Sequence, residues 1–192
     1  RTLTPCACPP GREEARRAQA QLDLARTDDV RPSLAAASAR CGKDCPRAAS
    51  LQLLQARAAL AGKRAVEALG HAMAALELLQ DRDEAAETGN AWRLIAAARL
   101  AAGDAAGALP AARNALDIDR RLAIPEKIAR DWLLIGDIHR AIPPGGTHAA
   151  GRDDAATAYR RALDVAQAAG LDAVTMIAMQ ALQDIGMQKK IE

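Results

Sequence analysis

The sequence predicts an all-α protein built as a stack of antiparallel helix hairpins, and three observations support this. Half of the residues are hydrophobic, yet only 2% are aromatic and Phe is absent. Ala, Leu and Arg dominate and favour helices, whereas the residues that favour strands are scarce. Gly, Pro and Asp interrupt the apolar pattern at regular intervals, and one Ala-Leu pattern recurs along the chain. These features together favour repeated helices of similar length.

The composition also limits the classes of function. The chain of 192 residues carries a net charge of +2 and is long enough for one domain with a buried core. Arginines alternate with acidic residues, which indicates solvated helix faces rather than a basic stripe, and stacking aromatics are lacking. We therefore expect no nucleic-acid partner. No run of 18 apolar residues occurs, so no membrane-spanning helix is predicted.

Turn signals divide the chain into about nine helices. Pro starts helices well and Gly ends them, while an Asp before a helix can cap its free backbone N–H groups. The expected helices cover about 12–26, Pro32 to about Cys41, Pro46 to Ala61, about 63–80, the stretch after Asp83 up to Ala102, Asp104 to about Leu122, Pro125 up to the Pro143-Pro144-Gly145-Gly146 stop, about 152–169, and Asp172 onward.

Internal similarity shows how these helices are organised. The segments Ala75-Leu76-Glu77-Leu78, Ala115-Leu116-Asp117-Ile118 and Ala162-Leu163-Asp164-Val165 repeat one pattern at intervals of 40 and 47 residues. Trp92 likewise recurs as Trp132, at the shorter of these two intervals. A single hairpin cannot bury its apolar face alone, so repeats of this kind stack into a solenoid. The seven additional residues of the last interval fall around 142–151, where we expect a surface loop or, alternatively, a partner contact.

The repeated unit resembles the tetratricopeptide repeat, in the variant whose unit is longer than usual. The family places a large residue, an aliphatic one and a small one on its first helix, and Ala, an aromatic and Ala on its second. The clearest copy is Trp132, Ile135, Gly136, Ala155, Tyr159 and Ala162; the preceding one is Trp92, Ile95, Ala96, Ala108, Ala112 and Ala115; a degenerate one is Leu51, Leu54, Ala68, Ala72 and Ala75. The resemblance covers residues 47–190, and departs from the family where Ala112 replaces an aromatic and Arg99 replaces Tyr. It implies a right-handed superhelix that binds a partner.

Residues 1–46 form a second predicted region, an N-terminal tail and helix pair that contains all four cysteines, Cys6, Cys8, Cys41 and Cys45. A Cys6–Cys8 bridge would close a very tight ring, so we expect both to bridge to Cys41 and Cys45. A four-thiolate zinc site and free thiols are the alternatives. Disulfides indicate an oxidising compartment, which favours a periplasmic or secreted protein. A removed leader or a trimmed N-terminus would each explain the start at Arg1, and a partner or a removed lipidated N-terminus would add peripheral attachment to the outer membrane.

No constellation of side chains predicts catalysis, a cofactor or a metal. Ser33, Ser38 and Ser50 are the only serines and none lies in a nucleophile motif, while the three histidines are scattered. His139 occupies a position where the family usually has Tyr, and we expect it to pack between helices.

The resemblance implies a concave groove lined by the first helix of each hairpin. The expected groove residues are Asn90, Arg93, Arg130, Asp137 and Arg140, whose arginines could hold an acidic segment through forked hydrogen bonds. A possible apolar ligand surface comprises Leu133, Met176, Met179 and Leu182. The leading hypothesis is a non-enzymatic, exported adaptor that binds a protein partner in a cell-envelope assembly. The alternative is a helical carrier of a sterol- or hopanoid-like lipid.

Overall fold

The computed structural model describes residues 12–23, 27–41, 45–142 and 151–188, which are helical apart from the turns. Nine helices lie within these ranges, in antiparallel hairpins that stack into a solenoid, as the sequence predicts. They are α1 (Arg12–Asp23), α2 (Thr27–Cys41), α3 (Ala48–Ala61), α4 (Ala65–Leu79), α5 (Ala85–Ala101), α6 (Ala105–Arg121), α7 (Pro125–Ala141), α8 (Gly151–Ala168) and α9 (Asp172–Gln188).

The solenoid has two layers of helices. Each odd-numbered helix contacts the next odd-numbered helix, from α1 through to α9, whereas the even-numbered helices do not touch one another within the described ranges. The odd-numbered helices are therefore crowded together on the inner, concave side. The even-numbered helices are spread over the outer side.

Small side chains make this close packing possible. Ala75, Ala115 and Ala162, which start the three copies of the repeated pattern, are each 0% exposed. Gly136 lies directly against the ring of Tyr159, so a Cβ at this position would overlap the ring. The alanines that the repeat predicts to be equivalent thus occupy equivalent buried positions in successive hairpins.

The turn between α5 and α6 shows how local sequence ends one helix and starts the next. Gly103 has a φ of 85°, in the left-handed region that glycine adopts without strain. The N–H of Asp104 then donates to the carbonyl of Arg99 at 2.9 Å, and that of Gly103 donates to Leu100 at 3.0 Å. These bonds satisfy the last carbonyls of α5. The Asp104 carboxylate caps α6 by accepting from the N–H of Gly107 at 2.8 Å.

Helix α2 starts earlier than the sequence predicts. We expected it to begin at Pro32, but it begins at Thr27 and contains Pro32 in its second turn. Val30, Leu34 and Ala37, at helical spacing, are all buried. Burying these side chains favours a helix that starts before Pro32. The free energy gained from this burial offsets the backbone hydrogen bond that Pro32 cannot make.

Candidate partner-binding cavity

A cavity of about 590 Å³ opens on the concave side of the solenoid. Four odd-numbered helices supply its walls, so it is a consequence of the two-layer stacking. It is lined by Ala15, Arg16 and Gln19 from α1; Arg47, which precedes α3, with Ser50, Leu53, Leu54 and Arg57 of α3; Glu87, Asn90, Arg93 and Leu94 from α5; and Glu126, Lys127 and Arg130 from α7.

The cavity walls follow the period of the repeat. Arg47, Glu87 and Lys127 are equally spaced along the chain, one in each of three successive hairpins, and so are Ser50, Asn90 and Arg130. Equivalent positions of successive hairpins therefore face the same space. The repeat preserves these positions but varies their side chains. Each helix therefore presents a different functional group to the cavity from an equivalent position.

Positive charge dominates the lining. Of the lining residues in the described ranges, six are Arg or Lys and two are Glu, while leucines and an alanine supply apolar area. Some of the charges are compensated in place. Arg130 Nη2 lies 2.7 Å from Glu126 Oε1, and Asn90 Nδ2 donates to Glu87 Oε2 at 3.1 Å. Lys127 Nζ instead donates to the carbonyl of Ala86 at 3.3 Å, a neutral partner.

Arg93 differs from the other cations because it reaches into the protein. Its Nε donates to Asp131 Oδ1 at 2.6 Å, and its Nη2 donates to Asp119 Oδ2. Its Nη1 donates to Asn90 Oδ1 at 3.0 Å. Both carboxylates are 0% exposed, whereas the Arg93 side chain is 19% exposed at the cavity wall. We call Arg93, Asp119 and Asp131 the buried triad; it joins α5, α6 and α7.

Two buried carboxylates share one guanidinium in this triad. Burial removes water from Asp131 and raises the pKa of its carboxyl to about 7, against the opposing effect of Arg93; the nearby Asp119 raises it further. Gly89 makes room for the group, since a Cβ there would lie 3.1 Å from Asp119 Oδ1. The triad therefore holds less negative charge near neutral pH than two independent carboxylates would.

The structure brings together three of the five predicted groove residues. Asn90, Arg93 and Arg130 line the cavity, but Asp137 and Arg140 are not among its lining residues. Arg140 Nη2 instead lies 3.5 Å from Asp137 Oδ1 one turn away. Asp137 Oδ1 also accepts from the Tyr159 hydroxyl at 2.6 Å, and burial, together with this contact, raises the pKa of Tyr159. Asp137 thus ties α7 to α8.

The predicted apolar ligand surface is divided between two environments. Leu133 and Leu182 are half-buried and pack against core residues that include Tyr159. Met176 and Met179 are 71% and 46% exposed on α9. None of the four lines the cavity.

The expected cysteine pairing is wrong for Cys41 and Cys45, which form a disulfide with each other. Their Cα atoms lie 5.1 Å apart, within the range that one bridge spans, because the cysteines are only four residues apart at the end of α2. Each sulfur can take part in one bridge, so neither is available to Cys6 or Cys8. Cys6 and Cys8 lie outside the described residues.

The two tryptophans occupy related but unequal places. Trp132 is 9% exposed, and the guanidinium groups of Arg120 and Arg161 lie over its ring, with Cζ atoms 5.1 and 4.6 Å from its centroid. Trp92 is half-buried against the same core cluster. His139 is buried, as expected for a packing residue, with Nδ1 3.8 Å from Asp154.

Sequence reasoning missed many of the cavity residues. Arg16, Arg47, Arg57 and Lys127 were not predicted to be in the groove, although Ser50 could have been found by stepping one repeat back from the predicted Asn90. In the described part of the chain, no cluster of His, Cys, Asp and Glu could hold a metal ion. No helix described here is long and apolar enough to cross a membrane.

The fold is similar to those of two solved structures. The apo form of RapI matches with a TM-score of 0.75 at 13% sequence identity, and the match covers 94% of this chain and 64% of RapI. BtubC (BKLC) from P. vanneervenii matches with a TM-score of 0.61 at 15% identity, over 90% of this chain and 78% of BtubC. A scan against protein-family models and a search of curated proteins find no match. The present chain thus spans 64% of RapI and shares with it a helical-repeat fold.

Proposed function

We propose that this protein is a non-enzymatic adaptor of the tetratricopeptide type, which binds a segment of a partner protein in its concave cavity. The observation that carries the proposal is the cavity itself, whose walls are formed by equivalent positions of successive hairpins. Concave surfaces of this kind are what solenoids use for binding. A volume of about 590 Å³ accommodates a few side chains of a partner rather than a folded domain.

The chemistry of the lining supports binding rather than catalysis. Arg93 is held by two carboxylates, and Arg130 by Glu126, so none of these carboxylates is presented to a substrate as a lone acid or base. Among the lining residues that the structure describes, Ser50 is the only one with a hydroxyl group, and none is a histidine. A nucleophile needs an adjacent base to act. Forked guanidinium groups and leucines instead suit the recognition of polar and apolar side chains.

We further propose that the protein is exported and acts in a cell-envelope assembly. The Cys41–Cys45 disulfide supports this, because disulfides persist in oxidising compartments and are rare in the cytosol. Fractionation of the host, with alkylation of free thiols before lysis, tests the location. Recovery of the protein in the cytosol with both thiols reduced would contradict export.

The second candidate is a carrier of an apolar lipid. Leu53, Leu54 and Leu94 in the cavity favour it, since they would contact a hydrocarbon skeleton. The exposed Met176 and Met179 favour a lipid-facing surface on α9 instead. Met179→Arg should abolish lipid uptake if that surface binds, and should leave a protein partner in the cavity unaffected. Native mass spectrometry of the protein from its host would detect either ligand directly.

Site-specific photo-crosslinking tests the adaptor function. A photoreactive amino acid at Ser50, in the cavity wall, should capture one reproducible partner in the host cell. The matched control places the same group at Asn114, which is exposed on α6 in the outer layer. Identification of the same protein from Ser50 and not from Asn114 is the expected result. Equal labelling from both positions, or none from Ser50, would contradict a partner in the cavity.

A further inference from the structure

The cations of the cavity differ in how far their charge is compensated. Arg93 contacts two buried carboxylates, and Arg130 is paired with Glu126. An incoming anion would gain less from a guanidinium that already has a carboxylate partner, because that carboxylate offsets part of its positive charge. Arg93 and Arg130, the cavity arginines that the repeat resemblance predicts, should therefore contribute less to anion binding than an arginine without a carboxylate partner.

The opposite wall, formed by α1 and α3, supplies cations to the cavity but no carboxylate in the described residues. Arg16 on α1 and Arg47 just before α3 both line the cavity, and neither side chain makes a hydrogen bond or ion pair with the described part of the chain. Arg57 of α3 also lines the cavity and donates to Gln19 Oε1 at 2.6 Å. No acidic side chain of α1 or α3 lines the cavity in the described residues. Apart from Lys127 on α7, which donates to a neutral carbonyl, the positive charge that a ligand meets is thus concentrated on the N-terminal side.

Apolar surface lies beside these two arginines. Leu53 and Leu54 line the cavity from α3, and Leu94 does so from α5. An apolar side chain that covered them would also exclude water from the neighbouring guanidinium groups. Charge-assisted hydrogen bonds strengthen when they are shielded in this way.

From this arrangement we infer that the cavity binds a short acidic segment of the partner, with a carboxylate held by Arg16 and Arg47 and an adjacent apolar side chain placed on Leu53 and Leu54. The inference rests on the proposed adaptor function and adds the chemistry of the partner. It also assigns a binding role to the N-terminal helix pair, which lies outside the repeat region defined by sequence. Arg93 stabilises the fold and does not bind the anion.

Calorimetric titration with model peptides tests the inference. The probe is a ten-residue peptide of alternating Glu and Leu with blocked ends, and its control replaces every Glu by Gln. The acidic peptide should bind at least tenfold more tightly than the control, and 0.5 M salt should remove most of the difference, because screening shortens the range of the attraction. Equal binding of the two peptides, or binding of neither, would overturn the inference.

Charge-removing variants identify the wall that binds the carboxylate. Arg16→Gln with Arg47→Gln should weaken the acidic peptide by tenfold or more, whereas Arg130→Gln should change its affinity by less than twofold. The matched control, Arg113→Gln with Arg121→Gln on the outer helix α6, should have no effect. Thermal melts verify that all variants are folded.

The outcomes separate this inference from the proposed function. If Arg130→Gln weakened the peptide as much as the Arg16 and Arg47 pair, the anion would lie on the α7 wall and the inference would be wrong. If neither peptide bound while the Ser50 crosslinker still captured one partner, the adaptor function would be supported and the inferred binding of an acidic segment would be wrong. If the peptide bound but no partner were captured, the adaptor function would fail.

Discussion

The buried triad should make the stability of the protein fall as pH rises. Asp131 has its carboxyl pKa raised from 3.8 to about 7 in the folded state, so the folded protein binds a proton more tightly than the unfolded chain does. The stabilisation from that proton is complete below the unfolded pKa and is lost as pH rises through about 7. One pKa unit corresponds to about 1.4 kcal/mol, so the full loss is about 4 kcal/mol.

Asp131→Asn isolates this contribution. The amide has nearly the same shape, its oxygen can accept from Arg93 as Asp131 does, and it carries no charge at any pH. Its NH₂ group can donate to the neighbouring Asp119, which an ionised carboxylate cannot do. Applying linkage to the two pKa values, we expect the wild-type protein to lose about 3 kcal/mol relative to the variant between pH 5 and pH 9.

Urea denaturation followed by far-UV circular dichroism at pH 5, 7 and 9 measures the difference. The matched control is Asp117→Asn, an exposed carboxylate on the same helix as Asp119. The free energy of unfolding of this control should follow the wild-type pH profile. If Asp131→Asn gave a profile parallel to that of the wild type, the carboxyl of Asp131 would not be the group that takes up the proton, and our account of the triad would be wrong.

Three further predictions concern stability. Gly136→Ala should cost about 1–3 kcal/mol in urea denaturation, because its Cβ would overlap a fully buried tyrosine ring, whereas Gly70→Ala, with open space around it, should be neutral or slightly stabilising. Trp132→Ala should cost about 3–5 kcal/mol by the same assay, since a largely buried ring is removed; a loss below about 1 kcal/mol would contradict its place in the core. Reducing the Cys41–Cys45 bridge should lower stability by about 2 kcal/mol, since its loop is short, and Cys41→Ser with Cys45→Ser should show the same loss without reductant.

Much of the fold follows from local sequence because the determinants of a repeat are local. Gly103 and Asp104 end one helix and cap the next within a few residues, so a sequence reader can place that turn. The recurring Ala at 75, 115 and 162 marks positions where helices approach closely, and all three are fully buried. The start of helix α2 was misplaced at Pro32 because the burial of Val30, a tertiary effect, extends the helix toward the N-terminus, beyond the local start signal.

The candidate site was harder to predict because it depends on contacts between distant residues. Arg93 finds Asp119 and Asp131 at separations of 26 and 38 residues, and nothing local indicates that both carboxylates are buried. The disulfide is similar, since no local pattern in the sequence distinguishes pairing of Cys41 with Cys45 from pairing with an N-terminal cysteine. The repeat period does predict part of the cavity, because it places Arg47 and Lys127 at equivalent positions of different hairpins.

The same residue type thus serves two purposes in this solenoid, and burial of the partner decides which. Arg93 is nearly enclosed, and its two carboxylates fix α5 against α6 and α7 in a core whose many alanines give helices few bulky contacts for setting their relative positions. Burying an ion pair costs free energy because both charges lose their water. The benefit of the triad is therefore structural specificity, since only one arrangement of the three helices satisfies all of its hydrogen bonds. The Arg47 side chain has no such partner in the described structure and keeps its charge at the cavity wall. A positively charged surface for a ligand therefore arises where the repeat supplies an arginine without the aspartates behind it.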